Sequence, residues 1–244
     1  MTDKLFVVGI GGTGMRCLES FIHLCAIGMF DNKEIDILTL DTDAENGNLG
    51  RVRQLINLYS NIKSGSAADG GTPNNDTFFS AKLNLYGFHT DYNSNSRSTF
   101  TNIARLSEGE SSKQNEMLSD LFLDSESVQQ FNLAHGYRAQ THLGSYLMYH
   151  GIVEAARNLA KGNDVREQER ELGEYIEKIS KAGEQAKVFV FGSVFGGTGA
   201  SSIPVIPTAI DHAIKVRSGG NSGLDLTKVK FGSTLLTEYF SFKK

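Results

Sequence analysis

Short apolar runs, each followed by a glycine-rich segment, set the pattern of this chain. Leu5-Phe-Val-Val-Gly9 is continuous enough for a buried strand, and the apolar residues from Met15 to Leu24 recur at helical spacing. The intervening Gly9-Ile-Gly-Gly-Thr-Gly14 is therefore predicted to lie at a strand-to-helix turn. The same order recurs later: Lys187-Val-Phe-Val-Phe-Gly-Ser-Val194 predicts a strand, and Phe195-Gly-Gly-Thr-Gly-Ala-Ser201 follows it. A helix is expected over Ser202–Ile214, with Pro207 making its regular part start late or kink.

Glu34-Ile-Asp-Ile-Leu-Thr-Leu40 reads as a second strand, ending in Asp41-Thr-Asp-Ala-Glu45. Strand, glycine loop, helix and strand in this order begin a parallel sheet with a right-handed crossover. Residues 60 to 130 are less regular. Ser64–Asp76 and Asp91–Ser98 are rich in turn formers and predict loops, while Thr77–Tyr86 fits either a strand or a short helix. The region is expected to elaborate the fold rather than build its core. From Gln140, an apolar stripe through Leu143, Leu147, Ile152, Ala155, Ala156 and Leu159 predicts a helix to about Ala160. Asp164 is expected to cap a charged helix reaching about Ala182, with Arg166–Glu171 as a solvated face. Lys228–Thr237 closes the pattern with a last strand. The fold class implied is α/β, a doubly wound, mainly parallel sheet with helices on both faces.

Glycines at a strand-to-helix turn let the backbone bend tightly and let a ligand approach, and the free N–H groups of the helix start attract an anion. Two such loops imply one shared phosphate site, which favours a single domain over residues 1–244. Asp41 and Asp43, ending the second strand, can accept hydrogen bonds from a ribose or lie near a metal; a solvated loop or helix cap is the alternative.

Composition narrows the partners. With 244 residues, 39% of them hydrophobic, the chain can bury a full core. A net charge of −4 without any basic block argues against direct nucleic-acid binding. Cys17 and Cys25 fit neither a CxxC motif nor a disulfide framework and read as small buried side chains. The six histidines are scattered, so no protein metal site is expected. No signal peptide and no apolar stretch of ~18 residues is present, which points to a cytoplasmic protein without a membrane partner.

Together these blocks resemble the nucleotide-binding domain of the tubulin/FtsZ superfamily. Gly9–Gly14 resembles its first phosphate loop, Leu40-Asp-Thr-Asp-Ala-Glu45 its acidic segment, and Phe195–Ser201 its Gly-Gly-Gly-Thr-Gly-Ser/Thr-Gly signature. Ala134–Gly144 stands where FtsZ senses the terminal phosphate, and Leu236–Lys243 resembles the stretch after its fifth strand. The resemblance implies GTP or GDP with Mg²⁺. Its nucleotide-binding residues would be Gly11, Gly12, Thr13, Gly14, Asp41, Asp43, Arg138, Gly196, Gly197, Thr198, Gly199, Ala200 and Ser201.

Departures also stand out: Phe195 and Ser201 replace usual glycines, Arg16 replaces an asparagine, and Lys243 stands where FtsZ has a ribose-contacting glutamate. The family's central helix and its acidic hydrolysis loop would fall beyond residue 244, so the chain is expected to be a truncated form that binds without efficient hydrolysis. GTPase activity, self-association and filament formation are then expected of the full-length protein. Two other readings stay open. One is an NAD(P)-binding oxidoreductase domain, from Gly9-x-Gly-x-x-Gly14 with Asp41 near the ribose-binding position; the other is a non-catalytic assembly or regulatory subunit.

Overall fold

The computed structural model describes residues 3–30, 32–42, 47–66, 78–88, 136–137, 140–162, 164–219 and 229–237, with Lys113 and Met117. Its elements are β1 (Lys4–Ile10), α1 (Gly11–Ala26), β2 (Glu34–Leu40), α2 (Asn48–Ser66), β3 (Lys82–Phe88), α3 (Thr141–Ala160) and α4 (Glu167–Ala182). A 3-10 turn (Gly183–Gln185) leads into β4 (Ala186–Ser193), followed by α5 (Gly197–Ser202), α6 (Ile206–Arg217) and β5 (Lys230–Leu236).

The five strands form one sheet in the order β3-β2-β1-β4-β5, every pair parallel. Alternation along β1 divides the core between its faces. Phe6, Val8 and Ile10 pack with apolar residues of α3, α4 and α6, while Val7 packs with those of α1 and α2. This is the doubly wound α/β architecture expected from the strand and helix pattern. Full burial of side chains such as Leu18, Ile22, Leu147 and Ile179 stabilises the layers by roughly 1.5–3 kcal/mol each.

Several elements differ from their sequence expectation. Helix α2 was not anticipated: Val52, Ile56 and Tyr59 form its buried stripe, but exposed Leu58 and Ile62 blur the periodicity. Within Thr77–Tyr86, which fits either a strand or a short helix, the part from Lys82 belongs to strand β3 (Lys82–Phe88). This strand pairs along its whole length with β2, from Glu34↔Lys82 to Leu40↔Phe88. Both elements are integral to the layers, so those parts of the 60–130 region are not an elaboration. Most of Ser64–Asp76 and all of Asp91–Ser98 lie outside the described residues.

Helix α4 starts at Glu167, with Arg166 rather than Asp164 at its N-cap. The Glu169 carboxylate accepts from the Arg166 N–H at 2.9 Å, which satisfies a donor at the helix start. Its charged run is not wholly a solvated face, because Gln168 and Glu169 are buried. Glu171 accepts from the Gly87 N–H on edge strand β3. The helix after the second glycine segment is split, as Pro207 implied: α5 ends at Ser202, and α6 begins at Ile206 with the proline in its first turn.

Candidate functional site

From β1 the chain builds outward through β2 and β3, then returns to place β4 on the other side of β1. The strand order reverses between β1 and β4, and ligands of open α/β sheets bind outside the carboxyl ends of the strands at such a point. Both glycine loops leave the sheet there.

The first loop is the opening turn of α1. Gly11 has φ of +64°, a left-handed conformation that glycine adopts without the Cβ penalty. Gly14 is needed for contact: a Cβ there would lie 2.7 Å from the Phe191 carbonyl oxygen and 2.8 Å from the Gly9 carbonyl carbon. Glycine therefore lets α1 seat directly against β1 and β4. No side chain caps this helix start, and its first turn holds no acidic residue. Helix geometry leaves the leading N–H groups without intrahelical acceptors, which suits an incoming anion.

The second loop is shaped by Ser193, the last residue of β4. Its Oγ donates to the Leu236 carbonyl at 2.9 Å and accepts from the Phe195 N–H at 3.0 Å. Val194 N–H donates to the same Leu236 oxygen at 2.9 Å. Gly199 folds α5 back onto this corner, so closely that a Cβ would stand 2.2 Å from the Ser193 oxygen.

The two loops meet. A Cβ built on Gly11 would lie 3.3 Å from Thr198 Cβ and 3.8 Å from the Gly199 nitrogen. Gly12 and Thr13 share the first turn of α1 with Gly11 and Gly14, while Gly197 and Ala200 lie half-buried in α5. Gly196 is exposed, with none of the described residues within 4 Å of its missing side chain. Asp41 follows Leu40, which pairs with Ile10, so the register sets it beside Gly11 at the same sheet edge. Asp41 is buried, and its Oδ1 accepts from the Thr42 N–H at 2.8 Å. Asp43 and Arg138 lie outside the described residues.

Ser201 is turned away from the loop surface. It is fully buried, with Oγ 2.7 Å from the Gly197 carbonyl and 3.0 Å from that of Thr198. Ser193 and Ser145 support this corner and were not among the sequence candidates, and Gly144 was read only as the end of the Ala134–Gly144 block. Ser145 Oγ donates to the Ser201 carbonyl at 2.7 Å, and Gly144 packs on the Ser201 side chain. No spacing rule flags Gly144 and Ser145, because α3 reaches α5 only through tertiary packing.

Thiol chemistry is disfavoured. Burial pushes Cys25 up to about 12 and raises Cys17 as well, so neither is a ready thiolate. Among the described residues, no group of three or more His, Cys, Asp or Glu could hold a metal ion. No described helix is long and apolar enough to cross a membrane. No protein-family model matches the chain, and no curated protein matches its sequence.

Proposed function

We propose that the chain binds a guanine nucleotide, GTP or GDP, as a tubulin/FtsZ-like module, with the phosphates on its two glycine loops. The observation that carries this reading is the approach of Gly11 to Thr198 and Gly199 at the reversal point of the sheet. Two loops on adjacent strands bring amide groups to one place, where a polyphosphate can accept from both. The uncapped glycine start of α1 fits the negative charge of the phosphates. Thr198 meets Gly11 through its Cβ and methyl carbon, which leaves its hydroxyl as a candidate phosphate contact, and Ser201 supports the loop from behind.

Asp41, at the end of β2 beside Gly11, would accept from a ribose or face a phosphate-bound Mg²⁺. Asp41 is the described side chain that would reach such an ion, and phosphate and water oxygens would complete its coordination. Guanine preference rests on the resemblance alone.

A second reading draws on Asp41, since an acid ending the second strand is also where a dinucleotide domain holds its ribose. Loop 2 favours the first reading, because a dinucleotide domain does not need it. Calorimetric titration of the 244-residue chain with GTP, GDP, ATP and NAD, each with Mg²⁺, separates the two. Saturable GTP or GDP binding is expected, and a ligand at 100-fold over its Kd should stabilise the fold by about 2.7 kcal/mol. Binding of NAD with no response to GTP or GDP would replace this reading with the dinucleotide one.

A further inference from the structure

We propose that Gly144, in the first turns of α3, is a positioning residue for the second glycine loop. It lets the helix press on Ser201 and so hold Thr198 and Gly199 against Gly11. The functional weight of this contact rests on the phosphate-binding reading above; its mechanics do not.

The contact is tight and its parts are anchored. A Cβ on Gly144 would lie 2.6 Å from Ser201 Oγ, 2.8 Å from Ser201 Cβ and 2.4 Å from the Tyr137 ring. Real Cβ atoms do not tolerate such distances, so a side chain at 144 must displace a neighbour. Ser201 cannot yield cheaply: it is fully buried and its hydroxyl is bonded to α5's own carbonyls. Tyr137 is only 1% exposed. Ser145 adds a second tie at the adjacent position, donating to the Ser201 carbonyl.

The chain of contacts then runs without a gap. Gly144 packs on Ser201 and on the Tyr137 ring; Ser201 donates to the carbonyls of Gly197 and Thr198; Thr198 stands against Gly11. Displacement of α3 must therefore move the second loop relative to the first. Helix α3 backs the loop in the way that groups behind a binding site hold its contacting atoms in place.

Gly151, on the same helix, provides the control. Among the described residues, a Cβ there meets only the Phe88 ring, at 3.7 Å and 3.8 Å, an ordinary contact. Hydrogen–deuterium exchange of the amides of residues 196–202 reads the loop directly and requires no ligand. Gly144→Ala is expected to raise their exchange about tenfold, as overpacking does, while Gly151→Ala leaves it unchanged. Ser145→Ala, which removes a hydrogen bond without adding volume, is expected to raise it about fivefold and serves if Gly144→Ala does not fold.

In the double variant Gly144→Ala/Ser201→Gly, two of the three clashing atoms are gone. Its exchange is expected to fall below that of Gly144→Ala. Calorimetry with GTP and Mg²⁺ on the same proteins is expected to show weaker binding in step with the faster exchange. Unchanged exchange in both Gly144→Ala and Ser145→Ala, or strictly additive effects in the double variant, would overturn the proposal. Faster exchange in a protein whose wild type binds no nucleotide would sink the functional reading and leave the positioning role standing.

Discussion

Glycines at Gly14, Gly196 and Gly199 look alike in the sequence, yet their surroundings differ. Gly14 and Gly199 exclude a side chain because backbone atoms occupy its place, whereas Gly196 faces open space. Gly14→Ala should therefore destabilise the fold by about 2 kcal/mol, through forced separation of α1 from β1 and β4. In helix α2, Gly50 has nothing within 4 Å of a built Cβ, and Gly50→Ala should stabilise by roughly 0.5–1 kcal/mol by lowering the entropy of the unfolded chain. Urea denaturation of both variants measures these opposite signs; equal and small effects would show that Gly14 is not a contact glycine. The motif made these glycines visible, but not the reason each is needed. That reason is the identity of the opposing atom, which lies on another strand or helix.

Among the elements, α4 shows how polar groups fix a helix on a sheet. Lys178 Nζ donates to Asp36 Oδ1 on β2 at 2.6 Å, and the same oxygen accepts from Asn84 Nδ2 at 3.0 Å and Tyr86 OH at 3.1 Å on β3. Tyr175 OH reaches the Val7 carbonyl of β1 at 3.3 Å. Burial opposes the Lys178 charge, but the hydrogen bonds to Asp36 and Tyr86 outweigh it and hold the ammonium above the usual lysine range. The two partners are unequally buried: the Asp36 side chain is 10% exposed, that of Lys178 39%. Asp36→Ala strips three donors of one acceptor and should cost about 2 kcal/mol, whereas Lys178→Met should cost less, about 1 kcal/mol, because Lys178 is the more exposed partner and Asp36 keeps Asn84 and Tyr86 as donors. Urea midpoints in the reverse order would refute this account. The helix was legible as a charged segment reaching about Ala182 and the strand as the run Glu34–Leu40. Their polar tie was not, since nothing in either segment names its partner.

The whole molecule stores a pH dependence where α3 meets α6. His150 is half-buried, its ring 4.2 Å from that of Tyr146 and 5.4 Å from that of Tyr149. Tyr149 in turn pairs with His212 Nδ1 at 2.7 Å. Burial, with added repulsion from Arg157 and His212, holds His150 below the ordinary histidine range. The folded state thus takes up this proton less readily than the unfolded one. Stability from this group is complete above the unfolded pKa of about 6.5 and is lost as pH falls below it toward the lower folded value. Urea unfolding from about pH 7 to about pH 5 should show stability falling, with a shallower decline in His150→Gln; identical slopes would exclude His150 as the source. The sequence by itself determined β1, α1, β2, α3, β4 and β5, the two glycine turns and the acid ending β2, though not α2 or the strand character of β3, because local periodicity records which side of a segment is buried only where its pattern is clean. The tertiary structure alone decided that β1 lies between β2 and β4, that Gly11 meets Thr198, and that α3 backs Ser201. Those are meetings of surfaces far apart in the chain, and complementary shape, rather than local pattern, selects them.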